Sequence, residues 1–331
     1  MIDNLFNRTA VLVLNWNKPE ITIDCIESLN TMEGEYDIFV IDNGSDEIKR
    51  NKLIEEMNRQ NAVILNEENI NQFVVNNIYN IGNKLILLIL LNKNYGYGKG
   101  NNFGLRLAYR LGYKYSLVSN NDIKIIDKNV LIELIKETKT DERIAWVSPK
   151  IMNIKGYQDG PFPEFDFINF CFFRGGIFYP FYALFMRKKR KREEQKLLSK
   201  FNGGQLNPVG FSGCFAFLKN EAANKVNFFD ENIFLYTEES ILAEKLRKMG
   251  FVPKYVPNVK VFHEHDYSME GINFKREYEG TKSLIYYYYY YKNYNIFILN
   301  IAKISRLFYL IIYKPIIIKI KEILKYKYNL I

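Results

Sequence analysis

Asn94-Tyr95-Gly96-Tyr97-Gly98-Lys99-Gly100-Asn101-Asn102-Phe103-Gly104 is followed shortly by Asn120-Asn121-Asp122. Four glycines among small amides lead into an apolar-periodic run (Phe103, Leu107, Leu111). That pattern predicts a backbone that approaches a ligand closely where a helix starts. Tyr115–Ser119 reads as a buried strand, which puts Asn120-Asn121-Asp122 at its carboxyl end. Open α/β sheets bind ligands at those ends. A Gly/Asn-rich loop beside a lone Asp suits a diphosphate and its divalent metal. Gly- and Asn-rich segments also make ordinary turns, so the flanking chain has to decide.

Around this stretch strand and helix signals alternate. Ala10–Leu14, Asp37–Ile41, Ala62–Leu65 and Leu85–Leu91 read as short apolar strands. Pro19 is placed for the first turn of a helix whose face carries Ile23, Ile26 and Asn30. A polar helix is expected over Asp46–Asn58. The βαβ alternation predicts an α/β fold, a mainly parallel sheet with helices on both faces. From Gly156 to Gly213 the pattern breaks down: Pro161–Met186 is aromatic-rich and irregular, and the basic run Arg187–Arg192 follows. A second ordered block runs from Phe211 to Phe262. In it Thr237 is placed as a helix N-cap, with Glu238 and Glu239 in the first turn and Lys245, Arg247 and Lys248 before Gly250.

With 331 residues, 48% hydrophobic and 25% charged, the chain is long enough for one large or two smaller globular domains. Its formal net charge is +9, concentrated in Arg187–Arg192 and the last forty residues. Local basicity beside clustered aromatics does not make a nucleic-acid surface, and none is expected. Three scattered cysteines (Cys25, Cys171, Cys214) form neither a disulfide framework nor a zinc site. Met1-Ile2-Asp3-Asn4 carries no basic region ahead of an apolar run, so the cytoplasm is expected. Ile296–Lys319 is the most apolar long segment, but Lys303, Arg306, Lys314 and Pro315 interrupt it. It is expected to lie on an anionic membrane surface, at the inner face of the plasma membrane, rather than cross it. Packing against the rest of the chain or against a second subunit is the alternative.

Several residues are candidates for chemistry. Asp42 ends its strand ahead of Asn43-Gly44-Ser45, where a carboxylate can meet a base or ribose or simply cap an Asx turn. Asp122 offers a hard oxygen for Mg²⁺ or Mn²⁺. Glu238 and Glu239 start a helix, favoured there by the macrodipole or by a general base's need to face a cleft. His263 and His265 are the only histidines, two residues apart after an apolar strand.

The order of these features resembles the family 2 inverting glycosyltransferases. Val11–Asn17, Val40–Ser45, Asn94–Gly104, Asn120-Asn121-Asp122, Phe229–Glu239 and Val261-Phe262-His263 carry the likeness. The nearest branch is rhamnosyltransferase-like, of bacterial surface-polysaccharide synthesis (capsule, lipopolysaccharide). The resemblance covers roughly residues 10–295 and implies a GT-A fold over 1–275, with 156–204 as a variable acceptor-side insertion and 276–331 as a helical extension. It implies a dTDP- or UDP-sugar donor, a lipid-linked or growing glycan acceptor, and Mn²⁺ or Mg²⁺. Carried over, Asn15, Trp16 and Asn17 line the nucleotide pocket and Asp42 meets the base. Asn120 approaches the ribose, with Asn94, Gly98, Asn101 and Asn121 about the donor. Asp122 and His263 hold the metal, and Glu239 of the Glu238-Glu239 pair is the base.

The chain departs from the family pattern twice: Asn120 stands where the acidic triad begins, and Glu239 is Glu where Asp is usual. A non-catalytic sugar-binding homologue is therefore the alternative. A dinucleotide-dependent dehydrogenase is disfavoured, because Asn15-Trp16-Asn17-Lys18 follows the first strand where GxGxxG belongs.

Overall fold

A computed structural model describes residues 8–77, 84–162, 166–203, 210–264 and 273–328. The chain divides into two compact units. One comprises Met1–Pro163, Gly204–Phe234 and Glu238–Asp266, the other Glu164–Gly203, Leu235–Thr237 and Tyr267–Ile331.

The first unit is built on a nine-stranded sheet of β1 (Thr9–Asn15), β2 (Tyr36–Asp42), β3 (Val63–Asn66), β4 (Ile86–Leu90), β5 (Tyr115–Asn120), β6 (Ile123–Ile125), β7 (Ile144–Asn153), β8 (Phe215–Lys219) and β9 (Val252–His263). The strand order is β3-β4-β2-β1-β5-β8-β7-β9-β6. From β3 to β5 every pairing is parallel. β8 then runs antiparallel to both β5 and β7, β9 parallel to β7, and β6 antiparallel to β9. Helices cover both faces, so central β1 is buried almost throughout and reads as a continuous apolar run. Pro19 opens the Pro19–Leu29 helix, and Asp46 caps Glu47–Arg59 by accepting from the Lys49 amide at 3.0 Å.

The mainly parallel α/β sheet agrees with the sequence reading. Two local expectations change. The Gly/Asn stretch is not a loop ahead of a helix: the helix spans Tyr97–Arg110 and includes Gly98, Gly100 and Gly104. A Cβ on Gly104 would lie 2.6 Å from Leu12 Cδ2, so this glycine lets the helix lie close on β1. Thr237 has φ +75°, outside the extended backbone of an N-cap residue.

The second unit is helical and rich in aromatic side chains. Pro161–Met186, expected to be irregular, contains two wide helical turns of π type, Asn169–Arg174 and Tyr182–Met186. The helix Arg187–Asn202 follows, and the later helices are Phe274–Tyr290, Ile296–Phe308 and Lys314–Tyr328. Phe167 stands 4.2 Å from Tyr288 and 5.1 Å from Tyr294, ring centre to ring centre, so Tyr288, one of the six consecutive tyrosines Tyr286–Tyr291, is core. Ile296–Ile320 is long and apolar enough to cross a membrane, with a window of mean hydropathy 1.7. Arg306, counted as an interruption, is buried. On the opposite side Phe297, Ile301, Ile304, Phe308, Ile311, Ile316, Ile320 and Ile323 are exposed, at three- and four-residue steps except for one five-residue step that crosses the π-type turn Tyr309–Tyr313.

Candidate active site

The carboxyl ends of β1, β2 and β5 are joined by one buried hydrogen-bond network. Asn15 donates through Nδ2 to Asp42 Oδ1 at 2.8 Å and to Ser45 Oγ at 3.2 Å. Its Oδ1 accepts from Thr22 Oγ1 at 2.9 Å, and Thr22 in turn accepts from Asn121 Nδ2 at 3.0 Å. Ser45 also donates to Asp42. Arg50 Nε donates to Asp42 Oδ2 at 2.8 Å, while its Nη2 reaches the Leu91 carbonyl at 2.6 Å. Asp42 and Asn15 are fully buried. Neither side chain is open to a direct contact in this arrangement. Both oxygens of Asp42 are occupied by protein donors, and Asn15 is enclosed among Asp42, Ser45 and Thr22. Buried polar groups must be satisfied, and these two brace the loop that carries Trp16 and Asn17.

Trp16 itself is 54% exposed. Asn17 takes a left-handed backbone (φ +56°), accepts from the Asp46 amide at 2.8 Å and donates its own amide to Ser45.

Gly98 and Asn101 lie within the Tyr97–Arg110 helix. Gly98 is buried, and a Cβ there would stand 3.1 Å from Phe229 Cβ and 3.4 Å from Glu238 Cγ. Asn101, fully buried, donates to the Tyr97 carbonyl at 3.0 Å. Asn94 accepts from Asn43 Nδ2 at 3.1 Å and from the Gly96 amide at 2.8 Å, fixing the turn into the helix. At Gly96 φ is +83° and a Cβ would fall 2.2 Å from the Phe234 carbonyl oxygen, so only glycine fits. The glycines of this segment allow close packing of the helix.

Asp122 and His263 come together at the end of β9. His263 Nε2 stands 3.2 Å from Asp122 Oδ1, and its Nδ1 stands 3.1 Å from Asp159 Oδ2. The Asp122 carbonyl accepts from the Glu264 amide at 2.8 Å, and Asn153 Nδ2 donates to Asp159 Oδ1 at 3.0 Å. Burial would lower the imidazole's pKa, but the flanking carboxylates outweigh it and raise it. The residues fit a divalent ion. Donors to a small octahedral ion at 2.0–2.1 Å stand about 3 Å apart, close to the Asp122–His263 spacing, and a carboxylate behind a ligating imidazole is the usual outer support. Among the described residues no group of three or more His, Cys, Asp or Glu is placed to hold a metal ion. Diphosphate and water would therefore have to complete the ion's coordination. His265 lies outside the described residues.

Glu238 and Glu239 open the Glu238–Lys248 helix. Glu239 is half-buried and its Oε1 accepts from the Gly213 amide at 3.1 Å. A Cβ at Gly213 would lie 2.6 Å from that oxygen, so a larger residue there would displace the Glu239 carboxylate. Glu238 is 2% exposed, with Oε1 lacking a hydrogen-bond partner. Burial raises the Glu239 carboxyl pKa. Burial, and then the Glu239 charge, push Glu238 further above the carboxylate range. Tyr97, which sequence reasoning passed over although it lies in the quoted stretch, donates its hydroxyl to the Gly213 carbonyl at 2.7 Å. The next residue, Cys214, accepts the Asn120 amide on its carbonyl at 2.8 Å, and its side chain neighbours His263. Gly213-Cys214 therefore bridges the acidic pair to the Asn120–Asp122–His263 corner. Only its glycine ahead of an apolar strand hinted at this in the sequence. The half-buried groups that remain at this corner are Asn120, Asn121, Asp122 and Glu239.

No family model matches the sequence. Two structures of low identity share its fold over most of its length. The mannosyltransferase PcManGT from Pyrobaculum calidifontis, solved with GDP-Man and Mn²⁺, aligns with a TM-score of 0.54 and 13% identity, over 92% of this chain and 69% of that one. GalNAc-T7, solved with UDP, GalNAc and Mn²⁺, aligns with a TM-score of 0.54 and 13% identity, over 87% and 49%.

The chain has the GT-A glycosyltransferase fold.

In sequence, this GT-A chain is 37% identical over 62 residues to the N-acetylglucosaminyl-diphospho-decaprenol L-rhamnosyltransferase of Mycobacterium tuberculosis, in each of two strains. The match spans 18% of this chain and a fifth of the length of those relatives.

Proposed function

We propose that this GT-A protein transfers a sugar, with inversion, from a dTDP- or UDP-sugar to a lipid-linked or growing surface glycan. One observation carries the reading: a half-buried carboxylate of raised pKa, Glu239, is fixed on Gly213, one residue from the Cys214 that touches the Asn120–Asp122–His263 corner. Glu239 takes the acceptor hydroxyl proton, and the freed oxygen pair attacks the anomeric carbon opposite the nucleotide. The bond from that carbon to the diphosphate oxygen breaks and its electrons leave with the diphosphate. A raised carboxyl pKa suits a base working near neutral pH. Because diphosphate is already a good leaving group, one carboxylate suffices where glycoside hydrolysis uses two.

Trp16 would stack on the nucleobase, with Asn17, Asn120 and Asn121 along the nucleoside. Asp122 and His263 would hold a divalent ion, which when bound neutralises charge on the departing diphosphate. The relatives fit: one is named for rhamnosyl transfer to a lipid diphosphate and two were solved with nucleotides and Mn²⁺. The exposed apolar stripe and the basic Arg187–Arg192 run would seat the second unit on an anionic cytoplasmic membrane surface, where a lipid-linked acceptor resides. Calorimetric titration with UDP-, dTDP- and GDP-sugars in Mn²⁺, followed by transfer assays, tests the activity. Binding of none of the three nucleotide classes would overturn it.

A further inference from the structure

The Gly213-Cys214 turn ahead of β8 is held at three points, all within the first unit. The Gly213 amide donates to Glu239 Oε1 at 3.1 Å, and the Cys214 carbonyl accepts from the Asn120 amide at 2.8 Å. The third bond comes from a different element: the Tyr97 hydroxyl donates to the Gly213 carbonyl at 2.7 Å. Tyr97 opens the Tyr97–Arg110 helix and is itself fixed. Its amide donates to the Phe234 carbonyl at 3.1 Å, its carbonyl accepts from Asn101 Nδ2 at 3.0 Å, and its ring meets Phe229 edge-on with the centres 5.9 Å apart. Burial first, and then the Glu239 charge, push its phenol well above the ordinary tyrosine value, so the hydroxyl keeps its proton and goes on donating near neutral pH. Cys214, Glu238 and Asp122 are the other titratable groups acting on it.

A carboxylate serves as a base only when it is held within reach of the proton it takes. Glu239 has a long side chain, and the Gly213 amide that fixes its Oε1 belongs to a turn residue with no side chain to wedge it in place. The Tyr97 hydroxyl grips the same residue by its carbonyl and so keeps that amide from swinging away. A phenylalanine in place of Tyr97 would keep the ring against Phe229 and lose only this grip.

We propose that Tyr97 is a positioning residue: through Gly213 its hydroxyl aims the Glu239 carboxylate. The assignment of Glu239 as the base rests on the glycosyl-transfer reading above. Burial raises the Glu239 carboxyl pKa, and the backbone amides of Glu239 itself and of Gly213 pull it back by favouring the charged form. Once the Gly213 amide is no longer held, Glu239 should titrate at higher pH still, and the acid limb of kcat/KM should move up with it. A hydroxyl that merely packed the fold would leave that limb in place.

The test is carboxyl NMR of the full chain labelled with carbon-13 glutamate, Glu239→Gln serving to assign the Glu239 signal, together with transfer assays. Tyr97→Phe should keep wild-type circular dichroism and nucleotide affinity, titrate Glu239 at higher pH, and lower kcat by up to about tenfold, the worth of one net hydrogen bond. Gly213→Ala should lower kcat as well, and the double variant should lose less than the product of the two factors, because both act on one hydrogen-bonded chain. An unmoved Glu239 titration in Tyr97→Phe overturns the proposal whether or not kcat falls, and so does a double variant whose losses multiply in full. If wild type transfers sugar while Tyr97→Phe moves neither titration nor kcat, the positioning role falls and the transferase reading survives. If wild type transfers no sugar, Glu239 loses its role as base, and the carboxyl titration alone decides whether Tyr97 holds it.

Discussion

The two units place their large apolar side chains in opposite ways. In the first, the β1 and β2 residues are buried and the polar groups at the strand ends satisfy one another, from Asn15 through Asp42 to Arg50. In the second, Leu184 is 77% exposed, Phe185 69% and Phe297 69%, beside a helix whose Arg187, Lys188, Lys189, Lys191 and Arg192 are exposed. Large exposed apolar side chains in such number suit an interaction face. The contrast separates strand ends whose polar groups satisfy one another from helices that leave large apolar side chains in solvent.

The sharpest way to break the contrast is at the scaffold's own site. Glu239→Gln should reduce transfer by about 10²–10⁴-fold, as loss of a general base does, and leave nucleotide binding by calorimetry nearly intact. If Glu238→Gln has that effect instead, the base is the inner carboxylate.

Next in size, Asp122→Ala should abolish most of the Mn²⁺-dependent part of nucleotide binding. Asp159→Asn should weaken Mn²⁺ affinity by about 10–100-fold through the orientation of His263. Electron paramagnetic resonance of free Mn²⁺ measures both, and Asp159→Asn at wild-type affinity would reduce Asp159 to a fold contact.

On the second unit, replacing Arg187–Arg192 by Ser should cost roughly 1 kcal/mol per cation near an anionic surface, read as loss of co-sedimentation with phosphatidylserine vesicles. Ile304→Glu with Ile311→Glu should lower binding at high salt too, because that part is not electrostatic. Equal binding of wild type to neutral and anionic vesicles would remove the charge component.

The smallest effect is on stability. A buried carboxyl whose folded pKa is raised favours the folded state below its unfolded pKa, and that contribution is lost as pH rises through the folded value. Glu238→Gln should therefore raise the melting temperature by a few degrees at pH 8 and less at pH 5. An equal shift at both would show that Glu238 is not raised.

How much was legible follows from the range of each signal. Strands β1, β2, β4 and β5 were readable because central strands covered on both faces become short apolar runs. β7 was harder: Pro149 interrupts it at a shift of register against β9. In the Gly/Asn stretch the packing role of Gly104 was not legible, since glycine needed for helix-on-strand packing looks in sequence like glycine needed for a ligand. Asp159 carried no local signal at all, being brought to His263 from 104 residues away.

By itself the sequence determined the alternation of strand and helix, the helix start at Pro19, and the chemistry available at Asp122, Glu239 and His263, because those depend on local backbone preference and side-chain identity. Only the tertiary structure decided which polar groups are enclosed and which reach the open corner. It also folded the 164–203 segment with the C-terminal helices and turned Arg306 inward onto Phe170. Burial and pairing are properties of distant residues meeting, and no single stretch of chain encodes them.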